Sequence, residues 1–591
     1  MDTLVPVARR ANVPLRGPEP ARVRWNLVVV VGAALLIGLF GYLTRWVCDD
    51  GLIFTRAVEQ ILAGNGPVFN AGERAESSTS ALWQWLLVLA GFLFGQPDTS
   101  TISWVLGLLL TAGGFALAVD ATWRLHDPRR TAVLVPCGVL VLLGSRPVWE
   151  YATSGLETGL TTFWMAACWW LLVRLRSGGS AKAILAAAFT IGLGPLVRPD
   201  LALVAAVFLA ALWLTVRPGW RLTLGAAGAA AGLPIAYEIF RMGFYGIVVP
   251  MPALTKNADA SMWGRGFAYL ADFAGPTLLV LPLALVIAVS VPLLRRLRGR
   301  RTDLVVTLAP VTAGLLHLVY VVKVGGDYMH ARMALPALFL ILLPILVVPR
   351  SKRAGAAALV VVVWAAVFAG FVRYPGVGGS APGVDDERAY YTGWTGNAHP
   401  ADSSDYIPRL HGLKDAVTAE VGSGQRSLIY QGTAPGLNNV ITTPLRADVP
   451  GKVMIVGVYL GTVGMLAPTD VGVVDFWGLA NPIGARFSFP TVKPGHSKPL
   501  GNAWLLAGYA DPAAPLDPSG NFMIRDDVTP QQVAAARHAL SCGDLAEIQR
   551  STREPLSFKR FWDNLTGAWH RTQVTIPPDP FEAERTFCGR P

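Results

Sequence analysis

Two adjacent carboxylates stand where a long apolar segment of the sequence ends. Asp49 and Asp50 follow the apolar run at 25–46, and an amphipathic stretch begins directly after them. A carboxylate at a membrane edge costs on the order of several kcal/mol unless it is paired. Transfer of a glycosyl group develops positive charge at the anomeric carbon and releases an acceptor proton, which a carboxylate can stabilise or accept. The structural alternative is that Asp49 caps the following helix while Asp50 pairs with Arg45 or Arg56.

Other ionisable side chains fall in loops that we assign to the same membrane face. The candidates for binding a donor phosphate or sugar are Arg198, Asp200, Lys256, Asp327, Tyr328, His330 and Arg332. Cations at an interface suit a phosphate, which they bind by charge-assisted hydrogen bonds. For the three cations the alternative is a salt bridge to Asp200, Asp259 or Asp327, and the histidine could equally be a packed loop residue. Further candidates in these loops are Arg56, Glu73, Arg74, Glu157 and Tyr245.

The composition indicates a membrane protein. Of the 591 residues, 52% are hydrophobic and 15% are charged, whereas soluble chains carry about 25% charged residues. Long apolar blocks extend to about position 372, and the remaining sequence is polar and rich in proline and glycine. We therefore predict a transmembrane catalytic domain over 1–373 and a soluble mixed α/β domain over 374–591, which is long enough for its own core.

The apolar blocks predict a polytopic α-helical protein with about eleven spans of roughly 20 residues each. They lie near 25–46, 101–122, 131–146, 157–174, 182–197, 199–216, 222–240, 274–294, 303–322, 333–349 and 355–372. Lysine and arginine cluster in alternate loops, which predicts a cytoplasmic N-terminus, a first outer loop over 47–100 with juxtamembrane helices, and an extracytoplasmic C-terminal domain.

The apolar segment 79–95 is ambiguous. It is about 17 residues long and could be a twelfth span, but that count would break the alternation of basic loops. We interpret it as a helix lying at the outer interface, with Trp83 and Trp85 as anchors.

Several function classes are disfavoured. The net charge of +11 comes from basic residues in short loops between apolar blocks, so membrane topology explains it better than nucleic acid does. The sequence contains neither a Walker loop nor a dinucleotide-binding glycine motif, which argues against a sugar-nucleotide donor.

Asp49, Asp50, Asp200 or Asp327 could bind a metal ion, but no His/Cys spacing supports this. We expect no established cofactor and leave the metal question open.

The C-terminal part alternates short strand-like runs at 426–431 and 471–477 with helical runs at 530–540 and 544–552. If it is extracytoplasmic, Cys542 and Cys588 can form a disulfide; two unpaired thiols are the alternative. Its aromatic residues could pack on sugar rings, although for any one of them a place in the core is the better interpretation. These residues are Trp477, Trp504, Trp562 and Trp569.

A set of short motifs resembles the actinobacterial terminal β-(1→2)-arabinofuranosyltransferases, the AftB family. In the first part these motifs are Asp49-Asp50, Asn65–Asn70 with Gly72-Glu73-Arg74, Thr79–Trp83, Ser154–Thr158, Arg198-Pro199-Asp200 and Gly326–Met329. In the C-terminal part they are Val473–Pro482 and Pro494–Leu500. The resemblance covers nearly the whole chain, and the set is far more specific than any single motif.

This resemblance implies a GT-C glycosyltransferase fold, with decaprenyl-phosphoryl arabinofuranose as donor and arabinan ends of arabinogalactan and lipoarabinomannan as acceptor. The catalytic acidic pair of the family falls on Asp49 and Asp50. A β donor that gives a β product requires net retention, either through a carboxylate nucleophile and two displacements or through attack on the leaving face.

The alternatives are a polyprenyl-phosphate-dependent transferase for mannose or another pentose, a lipid-linked sugar flippase or transporter, and a scaffold without catalysis. A transporter predicts charges at the membrane midplane and internal repeats, and the sequence shows neither. The expected partners are the donor lipid, an arabinan acceptor and membrane lipids, without nucleic acid, and we expect a monomer.

Overall fold

The computed structural model describes residues 20–95, 98–127, 132–257, 261–297, 301–371, 383–431, 440–514 and 528–589. Asp259, one predicted partner for the cations, lies outside these residues. Within the described residues the protein is mostly helical, with one four-stranded sheet in the C-terminal part.

The first part of the chain is a bundle of helices joined by short loops. Its α-helices are α1 Pro20–Leu43, α2 Asp49–Leu62, α3 Ala81–Leu93, α4 Thr99–His126, α5 Cys137–Gly144, α6 Arg146–Glu150, α7 Thr158–Leu175, α8 Ala181–Gly192, α9 Gly194–Val197, α10 Ala202–Val216, α11 Trp220–Tyr245, α12 Met251–Thr255, α13 Trp263–Ala274, α14 Val280–Leu297, α15 Arg301–Lys323, α16 Leu335–Leu342 and α17 Lys352–Phe371. Strands β1 (Leu134–Val135) and β2 (Val348–Pro349) form a short antiparallel pair within it.

Several of these helices are long and apolar enough to cross a bilayer. Among the described residues they are Arg24–Leu43, Thr99–His126, Pro199–Val216, Trp220–Tyr245 and Arg301–Lys323. Shorter apolar helices occupy Ala81–Leu93, Ala181–Val197, Val280–Arg295 and Arg332–Ile345. Large apolar side chains on α1, α11 and α15 remain exposed, as expected for surfaces that face lipid tails rather than water. The protein is a membrane protein, and the count of eleven spans stays a prediction.

Two predicted spans are not single full-length helices. In the segment at 131–146, helix α5 has 8 residues and is about 12 Å long. In the segment at 333–349, the helical run is Arg332–Ile345, which is roughly 20 Å long, so both fall short of the roughly 30 Å apolar layer. Both segments are buried among the other helices. Their hydrophobicity therefore reflects burial in protein, which apolar runs alone do not distinguish from contact with lipid.

The segment at 79–95 contains helix α3, whose 13 residues extend about 20 Å and fall short of a bilayer crossing. Trp85 is exposed, as an interfacial anchor would be. Trp83 was predicted to be an anchor, and this is wrong. Its indole is fully buried and donates a hydrogen bond from Nε1 to the carbonyl of Gly155 at 3.0 Å.

The C-terminal part combines a mixed sheet with helices. Its α-helices are α18 Glu387–Thr395, α19 Ser403–Tyr406, α20 His411–Ser423, α21 Leu460–Leu466, α22 Asn502–Tyr509, α23 Pro530–Leu540, α24 Gly543–Arg553, α25 Phe558–Gln573 and α26 Pro580–Cys588. Its strands are β3 Ser427–Gln431, β4 Val440–Pro444, β5 Val453–Gly457 and β6 Gly472–Asp475. The strand order is β4-β3-β5-β6, with β3–β4 antiparallel and the other two pairs parallel.

The strand-like and helical runs predicted at 426–431, 471–477, 530–540 and 544–552 correspond to β3, β6, α23 and α24. Trp504 is a core residue and Trp477 is partly buried. Trp562 and Trp569 are exposed, so the interpretation that favoured the core is wrong for these two.

The C-terminal part packs directly on the loop that follows α1. Ile53 and Phe69 from that loop share one apolar cluster with residues of β3, β5, β6 and α21. Asn70 adds a two-point polar contact: its Nδ2 donates to the carbonyl of Val473, and its Oδ1 accepts from the Val473 N–H, both at 2.8 Å. Asn70 therefore ties strand β6 directly to the first loop.

Replacing Asn70 with alanine should weaken this contact. The substitution leaves the buried N–H and C=O of Val473 without partners, which costs about 1–3 kcal/mol for each group. We expect a fall of several degrees in the melting temperature of the purified protein and faster proteolysis of the C-terminal part. Asn65→Ala is the matched control, because Asn65 is an exposed residue that bonds only Gln60 within the same loop. Equal melting temperatures for the two variants would contradict the role of Asn70.

Candidate active site

Helix α2 begins at the acidic pair. Cys48 is its N-cap, and the Sγ of Cys48 accepts a hydrogen bond from the N–H of Gly51 at 3.3 Å. Consecutive residues on a helix point about 100° apart. Asp49 and Asp50 therefore face different neighbours, although they are adjacent in sequence.

Asp49 caps a helix of the C-terminal part. Its carboxylate accepts hydrogen bonds from the N–H of Gly461 at 3.0 Å, and from the N–H and Oγ1 of Thr462, both at 2.7 Å. These groups belong to the first turn of α21, where backbone N–H groups lack partners within the helix. A side chain at Gly461 would place its Cβ 2.0 Å from the Asp49 carbonyl oxygen, so this close approach needs glycine. The alternative in which Asp49 caps its own helix is wrong, because the capped helix lies about 400 residues away.

Burial governs the charge of Asp49. It raises the pKa of this carboxyl from 3.8 to about 6, and the three hydrogen bonds only partly offset the desolvation.

Asp50 faces two cations. Its Oδ2 lies 3.5 Å from the Nζ of Lys256 and 3.8 Å from Nη1 of Arg332. The predicted alternative partners lie elsewhere: Arg45 donates to the carbonyl of Tyr42, and Arg56 donates to carbonyls of the C-terminal part. The carboxylate thus stands where loops from three parts of the chain meet.

The two predicted binding arginines connect several carboxylates behind Asp50. Arg332 lies 3.4 Å from Glu157 and 3.2 Å from Asp327. Arg198 lies 3.7 Å from Glu157 and forms two hydrogen bonds with Asp200, both at 2.9 Å. The salt bridges foreseen as structural alternatives for both arginines therefore form, and they belong to one continuous network that also includes Asp50.

His317 and the charge of Asp327 complete the description of the network. His317 Nε2 lies 2.8 Å from the second carboxylate oxygen of Asp200. Burial alone would raise the pKa of Asp327, but the positive charges of Lys256 and Arg332 hold it below its usual range.

A small cavity opens beside this network, with a volume of about 140 Å³. It is lined by Glu157, Arg198, Asp200, Lys256, Asp327 and Arg332, together with several prolines and apolar residues. Three cations and three carboxylates thus surround one concave site, which is the arrangement expected of a polar binding site in a largely apolar protein.

Tyr328 connects the cavity to the C-terminal part. Its ring lies under the Nζ atoms of Lys256 and Lys493, at 5.6 and 5.4 Å from the ring centroid. The ring of His496 contacts it edge to face at 4.5 Å. Burial and the positive charge of Lys493 lower the pKa of His496 to about 4, so this imidazole is neutral at pH 7.

Glu387 is a site residue that the sequence did not reveal. The hydroxyl of Tyr328 donates to its Oε1 at 2.9 Å, while its Oε2 is buried and has no hydrogen-bond partner within the described parts of the chain. Burial, and then the charge of Asp50, raise the pKa of Glu387 well above its usual range. Glu387 follows a polar stretch of no recognisable pattern, so no local signal could have identified it. Lys493 and His496, in contrast, lie beside and within the motif Pro494–Leu500, which contributed to the family resemblance.

Four of the predicted loop candidates make structural contacts away from the cavity, and their assignment to the site stays a prediction. Arg56 is buried and donates to the carbonyls of Ala467, Pro468 and Val471. The other three join the first loop to nearby helices: Glu73 pairs with Arg553, Arg74 donates to the carbonyls of Phe244 and Ser551, and Tyr245 donates to the carbonyl of Pro67.

His330 is a packed loop residue, as the structural alternative stated. It is buried, and its Nδ1 hydrogen-bonds the carboxylate of Asp272.

Cys542 and Cys588 form a disulfide that joins α26 to the start of α24. The other cysteines, Cys48, Cys137 and Cys168, are free and buried.

Among the described residues, the group with metal-ligand spacing is His538 with Cys542 and Cys588. Because these two cysteines form a disulfide, neither sulfur is the thiolate that a metal ion prefers. The sequence-based question of a metal at the aspartates stays open.

Comparison with known proteins gives the family. The family model "AftB family C-terminal domain" matches residues 434–583. The chain is 35% identical over 605 residues to the terminal β-(1→2)-arabinofuranosyltransferase of Corynebacterium glutamicum, covering 92% of this chain and 85% of that protein. It is 33% identical over 623 residues to the protein of the same name from Mycobacterium tuberculosis, covering 95% and 96%. The chain belongs to the terminal β-(1→2)-arabinofuranosyltransferase family.

The chain is accordingly a glycosyltransferase, and the family predicted from its motifs is confirmed. Among solved structures, ArnT from Cupriavidus metallidurans bound to undecaprenyl phosphate matches with a TM-score of 0.43 and 16% identity, over 76% of this chain and 89% of that one.

The raised pKa of Asp49 predicts how the stability of the transferase depends on pH. A carboxyl whose pKa is about 6 when folded and 3.8 when unfolded contributes stability that is complete below pH 3.8 and is lost as the pH rises through 6. The melting temperature of the wild type, relative to that of the Asp49→Asn variant, should therefore fall between pH 4 and pH 6.5 and be constant above that. A difference that does not change over this range would show that Asp49 is not held in a desolvating environment.

Proposed function

We propose that this transferase moves an arabinofuranosyl residue from decaprenyl-phosphoryl arabinofuranose to the non-reducing ends of arabinan chains of arabinogalactan and lipoarabinomannan, forming a β-(1→2) linkage. The names of the two relatives support the sugar, the linkage and the terminal position. The charges of the cavity support a donor that carries a phosphate.

The observation that carries this proposal is the position of Asp50 beside Lys256 and Arg332. In a glycosyl phosphate the anomeric carbon and the phosphorus are separated by a single oxygen. Groups that stabilise the departing phosphate and a group that stabilises the anomeric cation must therefore lie within a few ångströms of each other. Two cations at 3.5 and 3.8 Å from one carboxylate satisfy that requirement.

We assign different roles to the two members of the acidic pair. The oxygens of Asp49 are occupied by three hydrogen bonds to α21, so Asp49 positions α2 and the C-terminal part. The carboxylate of Asp50 makes contacts only with the two cations among the bonds and ion pairs of the described residues. Asp50 is therefore the proposed catalytic residue, and Asp49 is a positioning residue.

In the proposed reaction, the bond between the anomeric carbon and the phosphate oxygen breaks, and the polyprenyl phosphate leaves with the electron pair. The acceptor hydroxyl forms the new bond, and its proton passes to Asp50 or to the departing phosphate. If Lys256 and Arg332 hold the phosphate, Asp50 lies on the leaving-group side of the sugar. This arrangement favours attack on that same face, through an oxocarbenium-like state, over a nucleophilic carboxylate on the opposite face.

Unsatisfied polar atoms at the site support a polar ligand. Oε2 of Glu157, Nε of Arg332 and Oε2 of Glu387 are all buried without hydrogen-bond partners in the described portion of the protein. Each such atom costs on the order of 1–3 kcal/mol. The sugar hydroxyls and phosphate oxygens of a bound donor can supply these partners, in place of the water molecules that they displace.

The same proposal includes the architecture and the topology expected from the sequence: a GT-C catalytic domain over 1–373, a cap domain over 374–591, an N-terminus in the cytoplasm and the site on the extracytoplasmic face. The extracytoplasmic side is supported by the Cys542–Cys588 disulfide, since disulfides persist in oxidising compartments. We propose a monomer.

The Asp50→Asn variant should lose about 100-fold or more in turnover, the usual scale for a positioned acid or base. The assay uses purified protein, synthetic polyprenyl-phosphoryl arabinofuranose and a short arabinan acceptor, and it quantifies the elongated product. The melting temperature should stay close to that of the wild type, because the amide removes one carboxylate from a network that contains several.

Asp415→Asn is the matched control, since Asp415 is an exposed carboxylate on α20, and its turnover should equal that of the wild type. Undiminished product formation by the Asp50→Asn variant would remove the catalytic assignment. Movement of the lipid-linked sugar across the bilayer, without any elongated acceptor, would favour the flippase.

The proposed topology predicts which introduced thiols are accessible from outside the cell. A cysteine replacing the exposed Ala419 on α20 should react with a membrane-impermeant maleimide in intact cells. A cysteine replacing Ser177, exposed between α7 and α8, should react only after permeabilisation. The buried native thiols provide a low background. The reverse pattern would place the site in the cytoplasm and contradict the proposal.

A further inference from the structure

Helix α25 exposes an aromatic stripe. Phe558 is 85% exposed, Trp562 55% and Trp569 67%. Positions separated by 4 and by 11 residues lie on the same side of a helix, so the three rings form one row along α25. Large aromatic side chains in such a row are costly to leave in water. Neither the catalytic proposal nor the packing of the C-terminal part uses them.

A different side of α25 is docked onto the end of a membrane helix. Phe561 packs where Gly243 of α11 has no side chain, since a Cβ there would lie 2.1 Å from the Phe561 ring. Nε of Arg571 donates to the carbonyl of Gly246 at 3.1 Å, and Oγ1 of Thr572 accepts from the N–H of Val248 at 3.1 Å. These contacts fix the rotation of α25 about its own axis, so the direction of the aromatic stripe is fixed too.

Helix α11, on which α25 packs, has the surface of a lipid-facing span. Helix α11 is apolar, long enough to cross a bilayer and little buried, with Ile235 and Ile239 exposed. Ile239 lies about one helical turn before Gly243. The lipid-facing side of α11 therefore ends where α25 begins.

A second helix at the same end of the bundle repeats this design. Helix α13 exposes Trp263 and Phe267, which are four residues apart. Its Gly266 packs against the end of the membrane helix α15, where a Cβ would lie 1.9 Å from the Val322 carbonyl oxygen. The amphipathic helices α13 and α25, from distant parts of the sequence, thus each pack on the end of a membrane helix and expose aromatic rings on the surface.

We propose that α25 is an interfacial helix that inserts Phe558, Trp562 and Trp569 into the lipid leaflet on the membrane face that carries the site. Tryptophan is enriched at this depth because its ring is apolar and its N–H can reach water. The polar side of α25, with the exposed residues Lys559 and His570, faces the aqueous phase. The C-terminal part is then held to the bilayer directly, as well as through its contacts with the first loop.

An accessibility measurement tests this orientation. The full chain carries a single nitroxide on Trp562→Cys or on Trp569→Cys, and Lys559→Cys and His570→Cys are the matched controls on the polar side of the same helix. The protein is reconstituted in nanodiscs of phosphatidylcholine and phosphatidylglycerol. Each label is read by its collisions with oxygen, which partitions into lipid, and with a nickel chelate, which stays in water.

The ratio of oxygen to nickel collisions should be about fivefold or more higher at positions 562 and 569 than at 559 and 570, as expected for a helix lying in the interface. Equal ratios at all four positions would overturn the proposal. Phe558→Cys provides the same measurement if a tryptophan variant does not reach the melting temperature of the wild type.

A polysaccharide is the competing occupant of the stripe, and the same labels distinguish it. A short arabinan added to the nanodiscs should leave the collision ratios at 562 and 569 unchanged. Labels that are water-accessible alone, and that lose mobility when arabinan is added, would show a glycan-binding surface and overturn membrane insertion.

Discussion

The contact between Asp49 and the first turn of α21 is the constraint on which the site depends. It links the end of the first membrane helix to a part of the chain about 400 residues away, with three hydrogen bonds to one carboxylate. Because adjacent residues on a helix diverge by about 100°, fixing Asp49 also fixes Asp50 in the direction of Lys256 and Arg332. The two adjacent carboxylates thus have different tasks, since Asp49 holds the helix and Asp50 faces Lys256 and Arg332.

The sequence predicted well those features that depend on local pattern. Strands β3 and β6 and helices α23 and α24 were predicted because their runs alternate or repeat with the period of one secondary structure. The convergence of Arg198, Asp200, Lys256, Asp327, Tyr328 and Arg332 followed from assigning their loops to one membrane face by the distribution of basic residues. Glu157 also joins this cluster, although the sequence alone gave it no priority over the other loop carboxylates.

The errors share a physical cause, which is that long-range partners decide the role of a polar or aromatic side chain. Arg56 and Arg74 lie in the same predicted outer loop as the acidic pair, but both donate to backbone carbonyls of segments hundreds of residues away. Trp83 is buried, and its N–H is satisfied by a carbonyl of a different loop. Glu387 was missed for the converse reason: it approaches the site only through the fold of the C-terminal part, with no motif around it. Periodicity reports which side of an element is buried, but not what it is buried against.

The charges of the site suggest how donor binding and catalysis are coupled. Asp50, Glu157, Asp200 and Asp327 face Arg198, Lys256 and Arg332, so the carboxylates outnumber the cations before any substrate binds. A donor phosphate that binds Lys256 and Arg332 must share these cations with Asp50. In the proposed reaction, this sharing leaves the Asp50 carboxylate less fully paired, so that it can face the positive charge that develops at the anomeric carbon. In the proposed mechanism, binding of the phosphate therefore frees the carboxylate for the step in which the phosphate itself departs.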